Sequence, residues 1–263
     1  MRAPVLFVSL LLCVACQQPP DHSAAAPACD PAVMKCAFTP PTAMGSDDSS
    51  GGASSGSDEE TAAFSGSVLV FDDDYFDRGT TFSAKAKVTA TGESGARVTG
   101  DYDGTTFQLA DVLKSAGNWF LVTPDAGSGA LPTLMPIDTR SSKADALSVG
   151  VANSVDVDSI FSFLNTERST ERAQIVLSLV DNSLRSVPGV TGTLTTEVTA
   201  YRAAGGWIGD NVTDSSGMIF FGNVQAGSAL SKVTISLSGA VTARVDVTVM
   251  AGAVSLVSAV GSP

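Results

Sequence analysis

The stretch TDSSGMIFFGNVQAGSALSKVTIS, residues 213–236, sets the reading of the whole chain. It opens on a tight turn, in which Asp214 bonds its own backbone and Gly217 supplies a residue free to take positive φ. An apolar run follows in which Ile219 and Phe221 alternate with Phe220, as on a strand whose successive side chains point to opposite faces of a sheet. Val224 and Gly227 close that strand, and Ser231–Ser236 begins another. Upstream, AQIVLSLVDNSLRSVPGVTGTLTTEVTA (173–200) supplies an opening strand and a Val187-Pro188-Gly189-Val190 step.

The same order of parts occurs earlier. KVTATGESGARVTGDYDGTTFQLADVLKSAG (87–117) lies over EVTAYRAAGGWIGDNVTDSSGMIFFGNVQAG (197–227), with Val88 on Val198, Gly104 on Gly217, Phe107 on Phe220, Val112 on Val224 and Gly117 on Gly227. Each copy runs from a Val-Thr-Ala strand through an acid and glycine turn and an apolar strand to an Asp/Asn-Val pair and Ala-Gly. Around them, GSVLVF, SAKAKVTAT, SKVTISLSG and ARVDVTVMAGAVSLVSA read as strands bounded by turn residues. This order resembles the carboxypeptidase regulatory-like, or transthyretin-like, domain, a seven-stranded Greek-key sandwich. The resemblance implies an all-β chain with two Greek-key β-sandwiches (transthyretin-like or Ig-like) in tandem, at 64–140 and 173–260. Its motif is specific for a fold and says little about activity, because this fold serves enzymes, adhesins, receptors and stalks alike.

Between the copies, the connecting segment 141–172 carries a different period. In SVDVDSIFSFLNTERSTER the apolar Val157, Ile160, Phe161 and Leu164 recur at helical spacing, with Ser154 or Asp156 available as cap. A short intervening helix is expected there. The motif set of the second copy is complete, so a fragment from Glu171 to Pro263 is expected to fold alone, whereas the looser first copy calls on the helix around Ile160 for cover.

The other end of the chain speaks to location. LLLCVACQQPP (10–20) ends an apolar stretch from Val5 to Val14, preceded by Arg2, that is shorter than the roughly 20 residues a transmembrane helix needs. Ala15 is a small residue immediately ahead of Cys16, and the run resembles the lipobox of bacterial lipoproteins, with Cys13 standing where that family usually has leucine. The resemblance implies that residues 1–15 are a lipoprotein signal peptide and that Cys16 carries lipid as the mature N-terminus. Gln17 stands where aspartate commonly signals inner-membrane retention in that family, so the resemblance points to the outer membrane or cell surface of the cell envelope. The other reading is an ordinary signal peptide cut near Ala15, releasing a soluble protein. With Cys13 and Cys16 accounted for, Cys29 and Cys36 remain as a pair for a small disulfide loop in an oxidising compartment; a metal site from the two with His22 is the alternative.

Residues 16–63 read as a flexible stalk. GSDDSSGGASSGSDEE joins glycine, serine and acid and buries too little apolar surface to offset its chain entropy. From 17 to 63 seven acids stand against Lys35 alone, a net −6 within a whole-chain net charge of −12. No cluster of Lys and Arg offers itself to nucleic acid or to an anionic lipid surface.

Chemistry is hard to assemble. The sole histidine, His22, lies in the stalk, so a Ser-His-Asp or Cys-His arrangement lacks a base in the folded region, and the chain reads as no enzyme and as having no dedicated cofactor. Ser83 and Lys85 are strand neighbours sharing a face rather than a dyad. DVDSIFSFLNTE imitates a calcium loop at Asp156, Asp158 and Glu167, but Phe161 occupies the position that needs glycine. FDDDYFD gathers Asp72, Asp73, Asp74 and Asp77 at a strand-to-loop transition, either as oxygen ligands for Ca²⁺ or as a solvated acidic loop that blunts a sheet edge. Trp119 and Trp207 each sit beside a glycine turn, placed either to stack on a sugar or peptide ligand or to pack at a sandwich end. These observations lead to the expectation of a surface-anchored bacterial lipoprotein with a structural, adhesive or ligand-presenting role, meeting an unknown protein or glycan. The alternative is a carbohydrate- or peptide-binding accessory component of a cell-envelope enzyme system.

Overall fold

The Val, Thr, Ile and Phe runs become strands throughout the computed structural model, which describes residues 60–71, 76, 79–203, 206–209 and 212–260. In the first half these are β1 (Thr61–Phe71), β2 (Gly79–Thr81), β3 (Ala86–Thr91), β4 (Arg97–Tyr102), β5 (Phe107–Leu113), β6 (Asn118–Pro124), β7 (Ala130–Leu131), β8 (Thr133–Ile137) and β9 (Leu147–Asn153). One layer runs β8-β6-β3-β4 and the other β5-β1-β9-β7, with β2 paired to β1. A single residue pair, Tyr102 with Phe107, joins β4 to β5 where the path folds from one layer to the other. Phe64 and Val68 of β1, Phe107 and Leu109 of β5 and Val149 and Val151 of β9 pack with Val88, Phe120 and Val122 of β3 and β6. The Tyr102 hydroxyl donates to the Phe82 carbonyl oxygen at 2.6 Å, and burial pushes its pKa above the usual phenol value.

The second half holds α1 (Ser154–Phe163), β10 (Ala173–Val180), β11 (Val190–Thr193), β12 (Val198–Ala203), β13 (Gly206–Ile208), β14 (Met218–Val224), β15 (Ser231–Gly239), β16 (Ala243–Val249) and β17 (Val254–Val260). Its layers are β13-β12-β14-β10-β17 and β11-β15-β16. Between them lie Ile175, Leu177 and Leu179 of β10, Ile219 and Phe221 of β14, and Ile235, Leu237, Val245 and Val247 of β15 and β16. The expected all-β architecture of two sandwiches with one short helix between them is what the chain adopts.

The repeat is preserved in a three-strand unit. β1 lies between β5, antiparallel, and β9, parallel; β10 lies between β14, antiparallel, and β17, parallel. The pairing register shifts at the same place in both, between Ala62 and Phe64 and between Ala173 and Ile175. Each shift is a β-bulge on the partner strand, and the residues of the Asp/Asn-Val pair there, Asp111 and Asn223, take φ of 56° and 55°. Asp and Asn tolerate this left-handed backbone better than other side chains, which explains that element of the repeat. The turn glycines correspond too: a Cβ at Gly104 would lie 2.6 Å from the Ser83 oxygen, and one at Gly217 2.6 Å from the Leu179 oxygen.

Asn223 also fixes the chain before β10: its Oδ1 accepts from the Ser169 N–H at 2.8 Å and its Nδ2 donates to the Glu167 carbonyl at 3.0 Å. Asn223→Ala is therefore expected to cost about 2–4 kcal/mol, from a left-handed alanine and two backbone groups left unpaired. Asp111→Gly, at an exposed position with the same backbone, is expected to change stability by less than about 1 kcal/mol. Urea denaturation of the two variants checks this, and equal losses would contradict it.

Elsewhere the halves differ from the sequence expectation. β3 pairs with β6, whereas its counterpart β12 pairs with β14. The outer face of the second half's larger sheet is then free to take cover, and α1 provides it. Val157, Ile160 and Phe161 of α1 pack with Val176, Ala200, Phe220 and Leu256, together with Phe71, Met135 and Ala152 of the first half. The helix begins at an Asn153 cap whose side chain accepts from the Val155 N–H, in place of the expected Ser154 or Asp156. The first sandwich also extends past the boundary drawn at 140: β9, inside the supposed connector, pairs with β1 over Gly66–Phe71. Parallel pairing of Val254 and Ser255 of β17 with Thr133 and Leu134 of β8 joins the two sandwiches directly. Both lie within one compact unit.

Candidate functional site

Of the residues singled out in the sequence, Cys16, Cys29, Cys36, Asp72, Asp73, Asp74 and Asp77 lie outside the described residues. The flanks of the acidic run are placed: Phe71 and Phe76 are both buried in the core between the sandwiches, and Phe71 pairs with Gly79 across β1 and β2.

The two tryptophans are separated. Trp207 is 2% exposed on β13, with its ring 6.0 Å from that of Phe220 at 65°, so it serves as core and offers no face for stacking on a ligand. Its Nε1 finds no hydrogen-bond acceptor among the described residues. Trp119 is half-buried on β6, between Thr91 and Pro136 of the neighbouring strands, and packs against the core of the second sandwich. Trp207 thus packs with Phe220 in the core under α1, and Trp119 packs where the halves meet.

The exposed apolar surface is elsewhere and was missed in the sequence. The stripe Val157, Ile160 and Phe161 turns inward, which leaves Phe163 61% and Val155 68% exposed on the outer side of α1. The Phe163 ring lies across Gly206, where a Cβ would approach it to 3.2 Å, and Ile208, 41% exposed, follows on the same strand. β13 is the edge of its sheet, so an apolar helix flank meets a short free strand edge here. The available signal was that Val155 and Phe163 are the apolar residues of the helix that fall off its buried stripe.

Three further acids shape loops. Asp103 Oδ1 accepts from the N–H groups of Thr105 at 2.8 Å and Thr106 at 2.9 Å, and these bonds hold its carboxyl below the usual range. Asp181 accepts from the backbone of Arg185 and Ser183 and from the Arg185 guanidinium, with the same effect. Asp214 Oδ1 accepts from the Ser216 N–H at 2.8 Å, the turn-forming role read from the sequence. Among the described residues no three His, Cys, Asp or Glu are grouped to hold a metal ion. What the arrangement presents at the surface is a set of shaped loops and an apolar edge.

No family model matches this chain, and no curated protein matches it. Several solved structures do. A streptococcal ancillary pilin is 11% identical, with 76% of this chain and 69% of that chain covered and a TM-score of 0.23. The Bacillus anthracis TIE protein is 12% identical at a TM-score of 0.24, with 76% of this chain covering 33% of that one. The pilus backbone of Streptococcus pneumoniae is 11% identical at 0.23, with 73% and 58% covered. At TM-scores of this size the likeness assigns neither a family nor an activity to this chain.

Proposed function

We propose that this chain is a bacterial surface lipoprotein with a structural or adhesive role, held in the membrane through lipid on Cys16. The observation that carries the reading is the order of parts: an apolar run ending Ala15-Cys16, an acidic Gly/Ser spacer, and then, from Thr61, two fused sandwiches. One acyl chain binds a bilayer only reversibly, at about 0.8 kcal/mol per buried methylene, whereas a diacylated cysteine anchors stably. The spacer sets the sandwiches away from the bilayer, and its net negative charge keeps it off anionic headgroups. The partner is a protein or glycan met by the outer loops and the Phe163–Ile208 edge. Cys16→Ala is expected to abolish incorporation of labelled fatty acid and to move the protein out of the membrane fraction. Unchanged labelling and partition in that variant would overturn the reading.

A further inference from the structure

We propose that this protein is built to carry tension along its chain, with one shear clamp in each sandwich. The proposal stands on strand order and direction and does not depend on how the N-terminus is anchored. The chain enters the first sandwich at the N-terminal end of β1 and leaves it at the C-terminal end of β9. These two strands are parallel and directly paired, from Gly66 with Leu147 to Phe71 with Ala152. A pull on the two ends therefore drives β1 and β9 past each other along their own axes, and six residue pairs resist together. The second sandwich repeats the device. The chain enters at β10 and leaves at β17, which are parallel and paired from Gln174 with Val254 to Val180 with Val260, seven residue pairs in all.

Each entry strand is held on its other side as well, β1 by β5 and β10 by β14. The exit strand β17 is tied to the first sandwich by its pairing with β8. The halves pair β3 and β12 differently, yet they agree in this three-strand unit down to the position of its bulge. An ordinary sandwich needs only buried area, and nothing in burial requires that the first and last strands of each half be parallel neighbours. That arrangement is the one that turns an end-to-end pull into shear along the paired strands.

Direction separates mechanical design from mere stability. Pulled between its two ends, the chain loads each clamp in shear. Pulled between an inserted handle at the exposed loop residue Asn182 and the C-terminus, the same β10–β17 ladder is loaded from one end only, because Val180 and Val260 are paired at that end. It then opens one pair at a time. Single-molecule force spectroscopy on the full chain in the two geometries, at one loading rate, is expected to give a rupture force several-fold higher for end-to-end pulling. Matching chemical denaturation midpoints for the two handle-bearing proteins establish that the fold is the same in both. Equal rupture forces in the two directions, or a lower one end-to-end, would overturn the proposal.

Discussion

A fragment of residues 153–263 is expected to unfold cooperatively, and one beginning at Glu171 to be less stable by about 5–9 kcal/mol, enough to leave it largely unfolded. The difference is α1. Val157, Ile160 and Phe161 are buried against the outer face of the β10–β14 sheet, and full burial of such side chains contributes roughly 1.5–3 kcal/mol each. A domain has only about 5–15 kcal/mol in total. Without the helix, Val176, Ala200, Met218, Phe220 and Leu256 lose their cover, and the shorter fragment is expected to self-associate. Urea denaturation of both fragments, followed by strand circular dichroism, decides the matter; coincident midpoints would show that the sandwich needs no helix.

Phe220→Ala is expected to cost the whole chain about 3–5 kcal/mol, the range for removing a buried phenylalanine where the site relaxes only partly. Phe220 stands at the centre of the shared core. It pairs with Val176 on one side and Ala200 on the other. Its ring meets that of Phe161 edge-on at 5.4 Å and 87°, and that of Trp207 at 6.0 Å. A double-mutant cycle with Phe161→Ala should return a coupling of about 0.5–1.5 kcal/mol, the contribution of an aromatic pair beyond buried area. A loss below about 1 kcal/mol for Phe220→Ala would mean that the helix and sheet are not packed as described.

These two expectations mark where sequence reading stopped. Alternation along Val245, Val247 and Val249 made that strand legible, because period two is a local property of a half-buried sheet. The helical spacing from Val157 to Phe161 was equally local. The Asp/Asn-Val pair was visible as a repeat, and the left-handed bulge at Asp111 and Asn223 supplies its cause. What did not show was which strand meets which. The first sandwich runs past 140 because β9 pairs with β1, 81 positions earlier, and a parallel partner leaves no turn signature between the strands it joins. That the second sandwich shares a core with α1 did not show for a related reason. Phe220 and Phe221 look alike in sequence, but Phe221 faces the sandwich interior while Phe220 faces α1, and nothing local announces that both faces of a strand are covered. Trp207 beside glycines could be read either as exposed or as core, because a turn residue carries no periodic signal; the glycine at 206 makes room for the Phe163 ring over the strand.

The proposed location turns on the chemistry of one cysteine, Cys16. Mass spectrometry of the N-terminal peptide, taken from the protein as isolated from its native membranes, tests it most directly. The account predicts a peptide beginning at Cys16, its sulfur carrying a diacylglyceryl thioether. A mature chain that begins at any other residue, or a Cys16 with an unmodified thiol, would contradict it.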